Sequence, residues 1–272
     1  MAKGKEVATK KNTDVAVPDD IDFAADAANV DDGMGLDDLA IPRMGLLQDA
    51  SKAVKKSSSE RIDGAEAGMI LNSASNELYD GSEGFVAIPV SYRRAYIEWW
   101  PRNSTGGEGF VADHGTDASI LDKCTTGDRG EHLMEDGTEI VVTPEYFILV
   151  VDPETGAAYE AIISMPKSQV KYSKKLNTAI KTLRIPNKDG ALFNPAMFYR
   201  AYQFKTKPDS NSKGDDFWSW DISPFMNTIE LPGGADLYRT ALSFSKRIAS
   251  GEVKVSQPTE DTSDGEGDDE AF

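Results

Sequence analysis

In the stretch SYRRAYIEWWPR, Tyr92, Arg93, Arg94, Tyr96, Trp99, Trp100 and Arg102 fall within twelve residues. A second stretch, MFYRAYQFKTK, interleaves Phe198, Tyr199, Arg200, Tyr202, Phe204, Lys205 and Lys207, and FWSW adds Trp218 and Trp220. Rings on which bases stack, set among cations that meet phosphates, are what a single-stranded nucleic-acid surface is built from. Strands are also aromatic-rich for packing reasons alone, so half of these rings are expected in the core. Between the two stretches, MPKSQVKYSKKLNTAIKTLRIP places Lys167, Lys171, Lys174 and Lys181 at i, i+4, i+7 and i+14, on one helical stripe, with Lys175 beside it. No Asp or Glu lies between Lys167 and Arg184. An ordinary solvated helix mixes signs for i, i+4 pairing. These cations repel one another, and a polyanion would relieve that repulsion while releasing its counterions.

The elements that must hold these residues follow from periodicity. AGMILNSASNELYDGSEGFVAIPV reads as a strand pair, with turns at 72–75 and 80–84 and a second strand near 85–90. RRAYIEWWP continues as a strand. Its alternation sets Ala95, Ile97 and Trp99 on a core face, and Tyr92, Arg94, Tyr96 and Trp100 on an exposed one. Residues 103–137 are Gly- and Asp-rich and read as a long loop. TEIVVTPEYFILVVD and AAYEAIISM form a hairpin about DPETG. The period then becomes helical, from Pro166 to Ile185, with Tyr172, Leu176, Ala179, Ile180 and Leu183 on the apolar side. AMFYRAYQFKT and DFWSWDIS are two late strands, and a final helix is expected near 234–250. LDDLAIPRMGLLQDASKAV is a helix start or an arm packed on the domain. The order predicts a mainly β, α+β chain: an OB-fold-like antiparallel barrel with a helix between early and late strands.

Composition divides the chain further. Residues 1–40 hold four Lys against ten acids, and residues 257–272 hold seven acids and no base. Both flanks are too polar to offset their conformational entropy, so they are read as a disordered leader (1–40) and a disordered tail (256–272) around one domain, 41–255. The net charge of −17 argues against nucleic acid, but it is unevenly spread. Residues 166–207 carry ten bases and a single acid, Asp189, a cationic module hidden in an anionic chain. No apolar run is long enough to span a membrane, no signal peptide is evident, and one cysteine, Cys124, favours an intracellular setting. His114, His132 and Cys124 fit no zinc spacing. GxSxG, Walker and HExxH motifs are absent. No enzyme activity, cofactor or metal is therefore expected.

The chain ends GEGDDEAF. A solubility tail accounts for the acids but not for the terminal ring. DDEAF resembles the tail ends of single-stranded DNA-binding proteins, both the bacterial type and that of T7-like bacteriophages, and the element order is similar to theirs. AIPRMGLLQ and YDGSEGFVAIPVSYRRAYIEW also resemble phage-encoded proteins of about this size from replication regions. The resemblance implies binding of displaced single strands in phage DNA replication and recombination, in the cytoplasm of the bacterial host. It further implies that Asp268, Asp269, Glu270 and Phe272 recruit polymerase or helicase–primase. The residues expected to meet DNA are Tyr92, Arg93, Arg94, Tyr96, Trp100, Arg102, Lys167, Lys171, Lys174, Lys175, Lys181, Tyr199, Arg200, Lys205 and Trp218. The tail would also compete for that surface, and a second copy of the chain is a candidate partner. The rival expectation is a phage structural or assembly protein, such as a scaffold or head-associated component. A DNA mimic is disfavoured by the +7 carried by residues 163–254.

Overall fold

Two long antiparallel strands form the spine of the molecule. The computed structural model describes residues 40–101, 104–107, 109–211 and 214–253, with Gly33 and Val255. Ahead of the spine lie β1 (Met44–Leu46), β2 (Ile70–Asn72) and β3 (Leu78–Tyr79), which make a small antiparallel sheet. The spine itself is β4 (Phe85–Trp100) paired with β8 (Glu139–Val151) along nearly its whole length. Between them come β5 (Gly109–Asp113), β6 (Thr125–Thr126) and β7 (His132–Leu133). After them come β9 (Ala158–Ser164), helix α1 (Val170–Thr182), the hairpin β10 (Ile185–Pro186) and β11 (Leu192–Phe193), then β12 (Arg200–Ser210), β13 (Asp216–Asn227) and helix α2 (Gly234–Ser250).

The first half of β4 pairs with β12, and the second half of β8 with β9, so one end of the spine carries the order β13-β12-β4-β8-β9. At the other end the order is β5-β4-β8-β7-β6. The resulting antiparallel sheet is curled into a half-barrel, with α1 between its early and late strands. The expected mainly β architecture with an inserted helix is therefore what the chain adopts, and the last helix falls on residues 234–250 as read from the sequence.

Both faces of the first end are covered. Phe85, Ala87, Tyr146, Ile148, Val150, Phe204 and Trp220 pack with Tyr172, Leu176 and Ile180 of α1. Val86, Ile88, Val90, Phe147, Leu149 and Val151 pack with Leu237, Ala241 and Phe244 of α2. The near-continuous apolar runs FVAIPV and FILVV are what a strand buried on both sides requires, where alternation would leave one face wet.

The arm at 40–55 is not a helix. Arg43 bridges to Ile162 in parallel, and β1 lies beside β9. From there Gln48 reaches the outer edge of β13: its Nε2 donates to Trp218 O at 2.8 Å and its Oε1 accepts from Trp218 N at 2.8 Å. Gln169 repeats the arrangement one step along, donating to Trp218 O at 3.0 Å and accepting from Trp220 N at 3.2 Å. Two side-chain amides thus stand in for the missing neighbour of an edge strand, whose open N–H and C=O groups would otherwise be a pairing hazard.

Candidate nucleic-acid interface

The aromatic–basic face expected on β4 is not an open face. The register of β4 against β8 slips between Pro89 and Ser91, where proline has no N–H to donate and a bulge absorbs the extra residue. The slip lies ahead of Tyr92 and leaves the alternation from 92 to 99 against β8 intact. Tyr92 nonetheless packs inward on Tyr146, ring centroids 5.1 Å apart, because the face opposite Ala95, Ile97 and Trp99 is covered as well. Tyr96 is buried with Ile120 and Ile140, because the segment read as a long loop carries a 3-10 turn (Ala118–Lys123) that covers it. Ile97 and Trp99 are core, as expected. Trp100 is half-buried beneath Gly106 and Gly107, where an added Cβ would come within 2.5 Å of the indole.

Nor is Arg93 free for phosphate. It pairs with Glu145 at 2.6 Å and with Asp113 at 2.8 Å. Glu145, fully buried, also receives Arg43 Nη1 at 2.8 Å and Ser164 Oγ at 2.9 Å. Burial pulls the Arg93 pKa down, yet the two carboxylates outweigh it and hold the guanidinium above its ordinary value. Arg94 alone of this group is exposed without an ion-pair partner among the described residues. Arg102 lies outside the described residues, as do Asp268, Asp269, Glu270 and Phe272.

The late strands are similarly committed. Trp218 is wedged under Gly68, whose φ of +88° and 2.6 Å clearance from the ring admit no side chain. Arg200 donates to Asn227 Oδ1 from Nε and Nη2, each at 3.4 Å. Tyr199 is half-buried in the 3-10 turn Met197–Tyr199. Lys205 is half-buried and has no ion-pair partner among the described residues.

The helix fulfils more of its expectation. A 3-10 turn (Lys167–Gln169) precedes α1, which ends at Thr182, before Ile185. Lys167 adopts φ +48° and pairs with Glu139 at 3.4 Å, apart from the rest of the stripe. On α1 itself Tyr172, Leu176 and Ile180 point into the core, while Lys171, Lys174, Lys175 and Lys181 are exposed. Lys174, Lys175 and Lys181 have no acid partner among the described residues.

At the start of α1 the structure assembles a cluster that the sequence pattern did not single out. The ring of Tyr172 has the ammonium of Lys171 at 5.1 Å, of Lys175 at 5.4 Å and of Lys207 at 5.6 Å from its centroid. Each lies within cation–π range. The Tyr172 hydroxyl donates to Asp209, and Lys171 Nζ meets the same carboxylate at 2.7 Å. Lys207 pairs with Asp221 at 2.9 Å. Burial raises the Asp209 pKa, but the hydrogen bonds from Lys171 and Tyr172 prevail and hold it below its ordinary value. Lys171 is opposed by burial and raised on balance by Asp209, while Lys207 is raised chiefly by its bond to Asp221. Two acids serve three lysines, and the surplus positive charge adjoins the unpaired lysines of α1. The missed members, Tyr172, Lys207 and Asp209, share no local motif. Only the packing of α1 against the β12–β13 hairpin joins them.

His114 Nε2 lies 2.7 Å from Glu98, and Cys124 contacts Ile120 O and Met134. Among the described residues no group of His, Cys, Asp or Glu is arranged to hold a metal ion, and no helix is long and apolar enough to cross a membrane. No curated protein and no solved structure matches the chain. The model of the Pam3 phage gp34-like protein family matches residues 9–254, and the chain belongs to that bacteriophage family.

Proposed function

We propose that this phage protein binds single-stranded DNA without sequence preference, through the exposed face of α1 and the adjoining Lys207. One observation carries the reading: four lysines share the solvent face of a thirteen-residue helix that has no acid of its own. Lys171 alone of the four meets an acid among the described residues, Asp209 of β12, and like charges so placed gain most from a polyanion, whose counterions are released on binding. The role of such a protein is to hold displaced strands during phage replication and recombination. The acids at 260–270 are a charge-matched competitor for the same surface, and Phe272 is offered with them to a replication partner.

Fluorescence anisotropy tests this with a labelled oligo-dT and a matching duplex. Full-length protein is compared with a version ending at Ser256, at two salt concentrations. The expected outcome is preference for the single strand, affinity that falls with salt, and tighter binding after truncation. Equal affinity of the two proteins at low salt would remove the competitor role and leave DNA binding standing. No binding by either, together with a defined oligomer in solution, would favour a phage assembly component instead.

A further inference from the structure

The rings assigned to stacking on sequence grounds are buried, wedged or, for Tyr199, half-buried, so the cationic surface needs another source of base contact. The β10–β11 hairpin supplies one. It follows α1 directly, and its second strand carries the two apolar side chains most out of place on this side of the molecule: Leu192 is 68% exposed and Phe193 44%. Two paired residues per strand, Ile185 with Phe193 and Pro186 with Leu192, would not hold a free hairpin together in water. This one is braced from both sides. Asn187 closes the turn, its Oδ1 accepting from the N–H groups of Asp189 and Ala191, both at 2.9 Å. Asn194 Nδ2 donates to the carbonyls of Ile180 at 2.8 Å and Leu183 at 3.0 Å. Arg184 Nη1 donates to Lys181 O at 2.7 Å and Leu183 O at 3.0 Å. The open carbonyls at the end of α1 are satisfied by the hairpin's own anchors, which fixes the apolar strand to the end of the lysine face.

The surroundings of that strand select its occupant. Lys181, Arg184 and Lys188 flank it, with Asp189 the one acid between Lys167 and Arg200. An apolar docking site for a neutral protein partner gains nothing from such a collar, and a basic partner is repelled by it. A partner that brings anionic groups and flat apolar rings at a regular spacing satisfies both features at once. We infer that Phe193 is the base-stacking element of the nucleic-acid surface, gripping a nucleobase while the phosphates follow the lysines of α1. The inference rests on the single-strand-binding reading above.

The test uses the full chain and two probes of equal length and charge, a labelled oligo-dT and an abasic oligonucleotide, titrated with wild type, Phe193→Ala and Phe193→Trp. Stacking is sequence-tolerant and worth roughly 1–3 kcal/mol per base, so Phe193→Ala is expected to weaken oligo-dT binding about five- to 150-fold. Its salt slope is expected to stay that of wild type. Phe193→Trp keeps the affinity, and neither variant changes binding of the abasic probe. The side chain is exposed, and circular dichroism with a melting curve confirms that each variant folds. If wild type binds oligo-dT with a steep salt slope and Phe193→Ala binds equally well, the stacking role is overturned and the lysine surface stands. If wild type binds neither probe, the nucleic-acid reading falls and this inference with it. If light scattering shows a wild-type oligomer that Phe193→Ala dissociates, with oligo-dT affinity unchanged, the hairpin is a contact between copies and the inference is overturned.

Discussion

Along β4 Arg93 of RRAYIEWW faces acids brought from other strands, Glu145 of β8 and Asp113 of β5, and Tyr92 and Tyr96 turn inward. Along α1 the lysines of KYSKKLNTAIK stand in solvent, and among the described residues only Lys171 meets an acid, Asp209 of β12. Residue types are much the same in the two stretches. What differs is the geometry of the element and what lies on either side of it. A strand in the middle of a sheet presents two faces, and here both are covered along most of β4. A helix at the sheet's surface buries one stripe and leaves the rest free. The same mixture of cations and aromatics therefore becomes an internal brace in one place and an open charged face in the other.

The largest expected effect breaks the brace. Glu145→Gln removes the shared partner of Arg43 and Arg93, leaving Arg43, 2% exposed, facing a neutral amide. Unpairing one side of a buried ion pair costs about 3–5 kcal/mol. At roughly 2–4 °C per kcal/mol for a domain of this size, the melting temperature should fall by on the order of 10 °C. Salt affects a buried pair little, so the loss should be nearly the same at low and high ionic strength. A melting temperature within about 1 °C of wild type would mean that the brace is not what holds these strands.

Next in size is the capped edge of β13. Gln48→Ala strips both side-chain bonds from the Trp218 backbone and should cost about 1–3 kcal/mol, read from denaturant midpoints. If Gln169 compensates through its own bond to Trp218 O, the double variant Gln48→Ala/Gln169→Ala will lose more than the sum of the singles. Neither glutamine is recognisable from sequence, since each lies far in the chain from the backbone it caps. The same limit governs the rest of the molecule. Helices α1 and α2 were legible because their apolar positions repeat locally, and the β8–β9 hairpin because DPETG marks its turn. On β4 the parity was legible but the cover on its second face was not: Tyr92 lies opposite Ala95, Ile97 and Trp99, yet that face packs on Tyr146 instead of meeting solvent. The cover over Tyr96 was hidden too, because six residues of 3-10 helix leave no periodic trace in a Gly-rich run. At the site, the lysine stripe was readable and its companions Tyr172, Lys207 and Asp209 were not.

On the helix the effect should appear in binding, not in folding. Lys174→Ala/Lys175→Ala/Lys181→Ala removes three exposed cations that have no acid partner among the described residues. Stability should stay within about 0.5 kcal/mol per site. The salt slope of oligo-dT affinity should fall by about 2, since each phosphate contact contributes roughly 0.7 on a single strand. Arg43→Ala/Arg93→Ala on the arginine side would read out the opposite way, in melting temperature first. If the lysine variant melts early while its salt slope is unchanged, the two regions do not divide as described.

The smallest effect lies where the two behaviours meet, at Asp209. This carboxylate pairs Lys171 as Glu145 pairs its arginines, but it sits partly exposed. Because its pKa is lowered in the folded protein, it adds stability at pH values above the ordinary Asp value of about 3.9. That contribution is lost as pH falls through the folded value. Lys171 is raised, so its share persists through neutral pH and disappears only as pH climbs through the raised value. Asp209→Asn should therefore be less stable than wild type by up to about 1 kcal/mol near neutrality. The difference should shrink with added salt and close in acid. A gap that survives acid would mean that Asp209 acts through its hydrogen bond to Tyr172 and not through charge. The same variant frees Lys171, so its oligo-dT salt slope should rise by about 0.7. A small loss of stability would then accompany a gain in binding, because an acid spent on fixing α1 to β12 is an acid withheld from opposing a polyanion.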